Sequence, residues 1–205
     1  MRIKNRGLLG LGVAVLWITA TSSVSMGQAA HVRWDIISLV AGQVNSGGNA
    51  SARANDCSKI TLTGSGTFVA PAGGGGTSGA VTGGGTWETF SGSSPCPCNS
   101  TATGTSTGSG TYEVTGLVRW EQAPGTPNPA NTDNIDDGQP SAGLAVLRVS
   151  YSDGARGILV VSCHLGGTPD SVFEGITASK GFVDYWNREA PVAGVNANRT
   201  LFHVE

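Results

Sequence analysis

Ser106 lies in Gly104-Thr105-Ser106-Thr107-Gly108, a match to the G-x-S-x-G pattern that presents a nucleophilic serine on a tight strand-to-helix turn. Here the match sits in a Ser/Thr/Gly tract that leads into a strand pattern, so a nucleophile elbow is not expected. Asp133, Asp136 and Asp137 crowd the stretch Asp133-Asn134-Ile135-Asp136-Asp137-Gly138. Carboxylates that close repel one another unless water or a cation separates them. Ile135 occupies the third ligand position of an EF-hand loop and Leu144 the place of its bidentate Glu, which excludes that motif. A looser calcium site on the three acids stays open beside ordinary solvated turn residues.

His164 follows Cys163 at the end of an apolar run, where a histidine serves more often as a hydrogen-bonded rim residue than as a base. His31 and His203 stand near the ends of the mature chain, with no nucleophile and carboxylate beside them in sequence. Glu88 and Glu113 each follow an aromatic, Trp87 and Tyr112. If their strands are neighbours, the two carboxylates can face each other as a glycosidase pair must, and Glu121 and Glu174 complete the set of acids to map. Trp34, Trp87, Trp120 and Trp186 are candidates for a sugar-stacking platform, but strand phase turns Trp87 and Trp120 inward and leaves Trp186 the least buried. His164, Arg148 and Trp186 are therefore the ligand-binding candidates. No motif implies a cofactor.

Four cysteines, Cys57, Cys96, Cys98 and Cys163, are expected to pair in an exported chain. Cys96 and Cys98 flank Pro97, too close for a relaxed bond with each other, so each is expected to join Cys57 or Cys163. A metal site on Cys-Pro-Cys with His164 is the rival reading, which the narrow cysteine spacing disfavours.

Behind these residues stands a repeated unit. Thr63-Gly64-Ser65-Gly66-Thr67-Phe68, Thr82-Gly83-Gly84-Gly85-Thr86-Trp87 and Thr107-Gly108-Ser109-Gly110-Thr111-Tyr112 all read T-G-[S/G]-G-T-aromatic, at spacings of 19 and 25 residues. Alternation at period two places the glycines and the ring on one face and the hydroxyls on the other. Inward glycines belong where a sheet bends sharply or where a neighbouring ring covers the gap. Arg33 to Val40 reads as a first strand, Val172 to Ser179 with Gly181 to Trp186 as a hairpin, and Thr200 to Val204 as a closing strand. Ala142 to Ser152 and Ala155 to Leu165 read as a hairpin about Asp153-Gly154; a two-residue loop would set Tyr151 opposite Arg156 and Val149 opposite Ile158, with both faces covered. Pro71 to Gly79, Ser91 to Thr105 and Pro124 to Pro140 read as surface loops. The expectation is an all-β antiparallel domain of about eight to ten strands, a strongly curved sheet or small β-barrel, with a two-sheet β-sandwich as the alternative.

Residues 1–30 carry a basic start, an apolar stretch from Gly7 to Ala20 and small residues before a cleavage point after Ala29 or Ala30, the pattern of a secretory signal peptide. The expected product is an extracellular or periplasmic domain over 31–205, with no membrane span after cleavage. Losing Arg2, Lys4 and Arg6 leaves 9 basic residues against 14 acidic ones, a formal charge of −5. Such a chain cannot assemble the basic face that phosphates require, which excludes nucleic acid as a partner. Glycine-rich loops, with 32 Gly among 205 residues, surround β-branched runs that demand burial, so the domain folds. The functional expectation is a secreted, non-catalytic binding or surface-associated module. The alternatives are a β-barrel that binds or converts a small apolar ligand, and a carbohydrate-active enzyme.

Overall fold

A computed structural model describes residues 29–71, 77–92, 104–135 and 137–205. In chain order the strands are β1 (Ala30–Val40), β2 (Gln43–Ser46), β3 (Ala50–Arg53), β4 (Lys59–Leu62), β5 (Ser65–Ala70), β6 (Gly84–Phe90), β7 (Ser106–Ala123), β8 (Thr132–Asp133), β9 (Gln139–Tyr151), β10 (Arg156–Cys163), β11 (Gly175–Lys180), β12 (Val183–Tyr185), β13 (Asn187–Arg188) and β14 (Thr200–Val204). No helix forms among the described residues. Strands β1, β5, β6, β7, β9 and β14 pair in that circular order, antiparallel throughout, and close a six-stranded barrel. The other strands lie outside the ring, and several are two to four residues long, which is why the strand count reaches fourteen rather than the eight to ten expected.

The repeat explains how β5 and β6 meet. T-G-x-G-T reads the same in both directions, and the first two copies pair antiparallel about Ser65↔Gly84. Thr63 Oγ1 meets Thr86 Oγ1 at 2.8 Å on one side of that centre, and Thr67 Oγ1 meets Thr82 Oγ1 at 2.8 Å on the other. Between them the backbones touch: a Cβ on Gly85 would stand 2.0 Å from the Thr63 carbonyl oxygen, and one on Gly83 would stand 2.3 Å from that of Ser65. Only glycine lets two strands approach so closely while bending. The third copy is offset by pairing Trp87 with Gly110, and the Trp87 ring lies 3.4 Å from the Cβ positions of Gly108, covering the gap that glycine leaves.

Phe68, Trp87 and Tyr112, the rings of the three copies, are all buried. Phe68, Trp120 and Phe202 stack edge to face, with centroids 5.5 and 4.6 Å apart, and with Trp34 and Leu147 they fill the barrel. The described interior is therefore lined by tightly packed aromatic and aliphatic side chains.

The β9–β10 hairpin differs from expectation by one residue of register. Gly154 takes φ 88°, the Tyr151 amide donates to the Ala155 carbonyl at 2.8 Å, and Ser152, Asp153 and Gly154 form a three-residue loop. Val149 consequently opposes Gly157 and Leu147 opposes Leu159. The slip joins Leu147, Val149, Leu159 and Val161 in the core, while Arg148 and Ile158 turn to the outer, partly exposed side. Only one face of this hairpin is fully covered. Among the described residues no disulfide joins two cysteines. Cys163 is a free, fully buried thiol that faces the core at the end of β10, which overturns its expected pairing. Cys57 is not a free thiol, and Cys96 and Cys98 lie outside the described residues.

Candidate functional site

One edge of β9 serves two partners. Gln139–Ser141 pair with β14, and Gly143–Ser150 pair with β10, so these two strands part from a common edge. At such a fork the amides just beyond each strand end lose their ladder partners, and a buried amide without an acceptor is costly. Glu174 supplies the missing acceptors. Its Oε2 accepts the His164 amide at 2.6 Å just past β10, and its Oε1 accepts the Thr200 amide at 2.6 Å at the start of β14. The Thr200 hydroxyl donates to the Ser162 carbonyl at 2.6 Å and holds the same joint from the other side.

The fork opens into a cleft of about 340 Å³. Ile37, Leu39, Val44, Leu165 and Leu201 give it apolar walls, and Asn128, Asn131 and Pro127 close it from the loop after β7. That loop, expected as plain surface, adds the short strand β8, which runs parallel to β2. It is fastened over the outer face of β1 and β14 by two polar contacts. Asp133 Oδ2 lies 2.8 Å from His203 Nε2, and Asp137 Oδ2 accepts Arg33 at 3.3 Å, while Arg33 also grips the fully buried Asp35 through two hydrogen bonds of 2.8 and 3.1 Å.

These contacts place the calcium candidates. Asp133 and Asp137 face His203 and Arg33, Asp136 lies outside the described residues, and no group of three or more potential metal ligands exists among the described residues. His164 lines the cleft; its Nδ1 donates to the Val172 carbonyl at 2.8 Å, which leaves Nε2 as the unengaged ring nitrogen. Arg148 is elsewhere, beside Arg156 in an outer groove of β9 and β10. Trp186 is also elsewhere, 55% exposed near the fully exposed Phe182, with its indole N–H on Asn55 Oδ1 at 3.1 Å. Trp34, Trp87 and Trp120 are buried, so no four-tryptophan platform forms.

The remaining chemistry does not assemble. Glu88 opposes Ser109 and Glu113 opposes Gly84, which sets the two acids four residues apart along the ladder, about 13 Å at 3.3 Å per residue. That exceeds the roughly 5–9.5 Å at which a glycosidase pair works. Glu121 pairs with Arg119 in the open, and Ser106 begins β7 opposite Phe90. Asn198 is buried, and its side-chain oxygen accepts the Ser51 amide at 2.8 Å.

No family model, no curated protein and no solved structure matches this chain. The site must therefore be read from its own geometry.

Two of its residues were not singled out for it by sequence reasoning. Glu174 was one of four acids to map, yet its setting in Val172-Phe173-Glu174-Gly175-Ile176, an acid inside an apolar run, is the available signal for a buried carboxyl. Arg199 reaches the cleft from an irregular segment and carries no such signal.

Burial raises the Glu174 carboxyl from 4.5 to about 7, against the opposing pull of the His164 and Thr200 donors and of Arg199. Between these two values the folded protein holds a proton that the unfolded chain has released. Stability from this group is therefore highest at the acid end and declines as pH rises through about 7, by about 3 kcal/mol across the window. Glu174→Gln removes that slope and turns an amide N–H₂ toward one of two backbone donors, a loss of about 1–3 kcal/mol. Urea unfolding of parent and variant at pH 5, 6.5 and 8 should show the parent ahead at pH 5 and the gap narrowing toward pH 8. A gap that does not change with pH contradicts the raised carboxyl.

Proposed function

We propose that this protein is an exported, non-catalytic binding domain that holds a small amphipathic molecule in the cleft at the β9 fork. The observation that carries the reading is the contrast between the cleft's walls and its reactive groups. The walls are apolar and concave, as ligand sites are. The cleft's two carboxylates are spent on the fold, since both Glu174 oxygens accept backbone amides and Asp133 holds His203 and the Ile135 amide, and His164 has no neighbouring free carboxylate to orient it as a base. Export rests on the leader pattern of residues 1–30. The buried rings of Phe68, Trp120 and Phe202 favour a site on the barrel's flank over one inside it.

A test is to titrate the protein with n-octanol and octanamide and follow backbone amide shifts by NMR. Shifts concentrated on Leu39, Val44, His164 and Leu201, and abolished by the cleft-filling variant Leu39→Trp, are the expected result. Absence of binding, or turnover of the added molecule, removes the reading. Carbohydrate contact is the second reading, favoured by the groove of about 380 Å³ where Trp186 and Phe182 stand beside Asp56 and Asp184. Oligosaccharide-induced shifts centred on Trp186, with none in the cleft, would move the site there.

A further inference from the structure

We propose that the cleft's ligand is an amphipathic carboxylate whose head is held by Arg199; this rests on the reading of the cleft as a binding site. The argument is an account of which hydrogen-bonding groups the fold leaves unused. Glu174 accepts the His164 amide on one oxygen and the Thr200 amide on the other. Asp133 accepts the Ile135 amide on Oδ1 and faces His203 on Oδ2. Asn128 Oδ1 accepts the Ala130 amide at 3.0 Å. The cleft's carboxylates are thus committed within the protein.

Its donors are not. Arg199 lines the cleft and is partly buried, yet among the described residues its guanidinium forms no ion pair and no side-chain hydrogen bond. Asn128, exposed at the edge of the same lining, makes no hydrogen bond through its amide N–H₂ among the described residues. A site with spare donors and saturated carboxylates selects a ligand that brings acceptors. A guanidinium offers a planar pair of N–H groups that matches the two oxygens of a carboxylate. The apolar walls of Ile37, Leu39, Leu165 and Leu201 then take the hydrocarbon. Glu174 opposes an anion little near neutral pH, because burial keeps its carboxyl partly protonated up to about 7.

The experiment compares octanoate with octanamide, which have the same chain and nearly the same head shape, on the full chain by calorimetry at pH 6.5 and low salt, with amide shifts locating the site. Octanoate is expected to bind at least tenfold more tightly than octanamide, and the preference should fall to within twofold in Arg199→Gln while Arg199→Lys keeps most of it. Among the described residues the Arg199 side chain makes no hydrogen bond or ion pair, and its carbonyl, which accepts the Ile37 amide at 2.9 Å, is untouched by substitution. An unchanged melting temperature verifies this. Equal binding of both probes in the cleft overturns the carboxylate inference and leaves the cleft reading standing. Binding of neither probe, or binding elsewhere on the molecule, overturns both.

Discussion

Gly85→Ala is expected to lose about 3 kcal/mol or more of folding free energy, enough to leave a domain of ordinary stability marginal or unfolded. The added methyl would stand 2.0 Å from the Thr63 carbonyl oxygen and 2.7 Å from the Gly64 Cα, both backbone atoms that cannot rotate away. Relief requires the first two repeat copies to separate, which breaks the Thr63–Thr86 contact and opens the only ladder joining β5 to β6. Gly79→Ala provides the control, since its Cβ meets nothing within 4 Å and its φ is not in the left-handed region. That change should be neutral or stabilise by up to about 1 kcal/mol through the unfolded chain. Equilibrium urea unfolding of both variants reads the difference. A Gly85→Ala protein within 0.5 kcal/mol of the parent, to take the usual bound for harmless surface changes, would show that the β5–β6 junction is not closed by backbone contact.

Trp87→Ala is the second large effect, about 3–5 kcal/mol. The ring covers the Cβ positions of Gly108 and Gly110, meets Tyr151 edge to face at 6.0 Å, and lies under Lys180 at 4.1 Å. Its Nε1 donates to the Thr111 carbonyl at 3.0 Å. Removing it leaves a void above two residues that have no side chain to fill it. Trp87→Phe should cost much less, about 1–2 kcal/mol, because a ring still shields the glycines and the Thr111 carbonyl retains the Ser152 amide at 2.9 Å. If the Phe and Ala variants unfold at the same urea concentration, the indole's hydrogen bond rather than its cover of the glycines holds this region.

These two variants also mark what can be read from the sequence. The phase of the repeat, glycines and ring on one face, is a local property of a period-two strand, and it led correctly to a curved, closed sheet with aromatic filling. Pairing is a different matter. T-G-x-G-T is its own reverse and so suits two copies lying antiparallel, but the letters alone do not say which two of the three copies meet. The β9–β10 register slipped because Gly154 in a left-handed conformation lengthens the loop by one residue, a choice that Asp-Gly alone does not settle. Two register shifts in β7, at Val114/Gly116 and Leu117/Arg119, carry Trp120 back to the core by a route that simple alternation does not describe. The cleft was the least legible part. Its residues come from β1, β2, the end of β10, a loop acid and the approach to β14, brought together only because β9 serves two strands along one edge.

The neighbours of β1 carry a consequence for biogenesis. Among the described residues β1 lies between β5 and β14, so one side of it is met by a segment made soon after it and the other by a segment made much later. A chain delivered amino end first can build the β4–β6 ladder and the β9–β10 hairpin as it emerges, but it holds β1 with bare amides and carbonyls along one side until residues 200–204 arrive. Ring closure between β1 and β14 is thus a late event over a long loop, slow by the entropy of that loop and exposed to wrong partners while it waits.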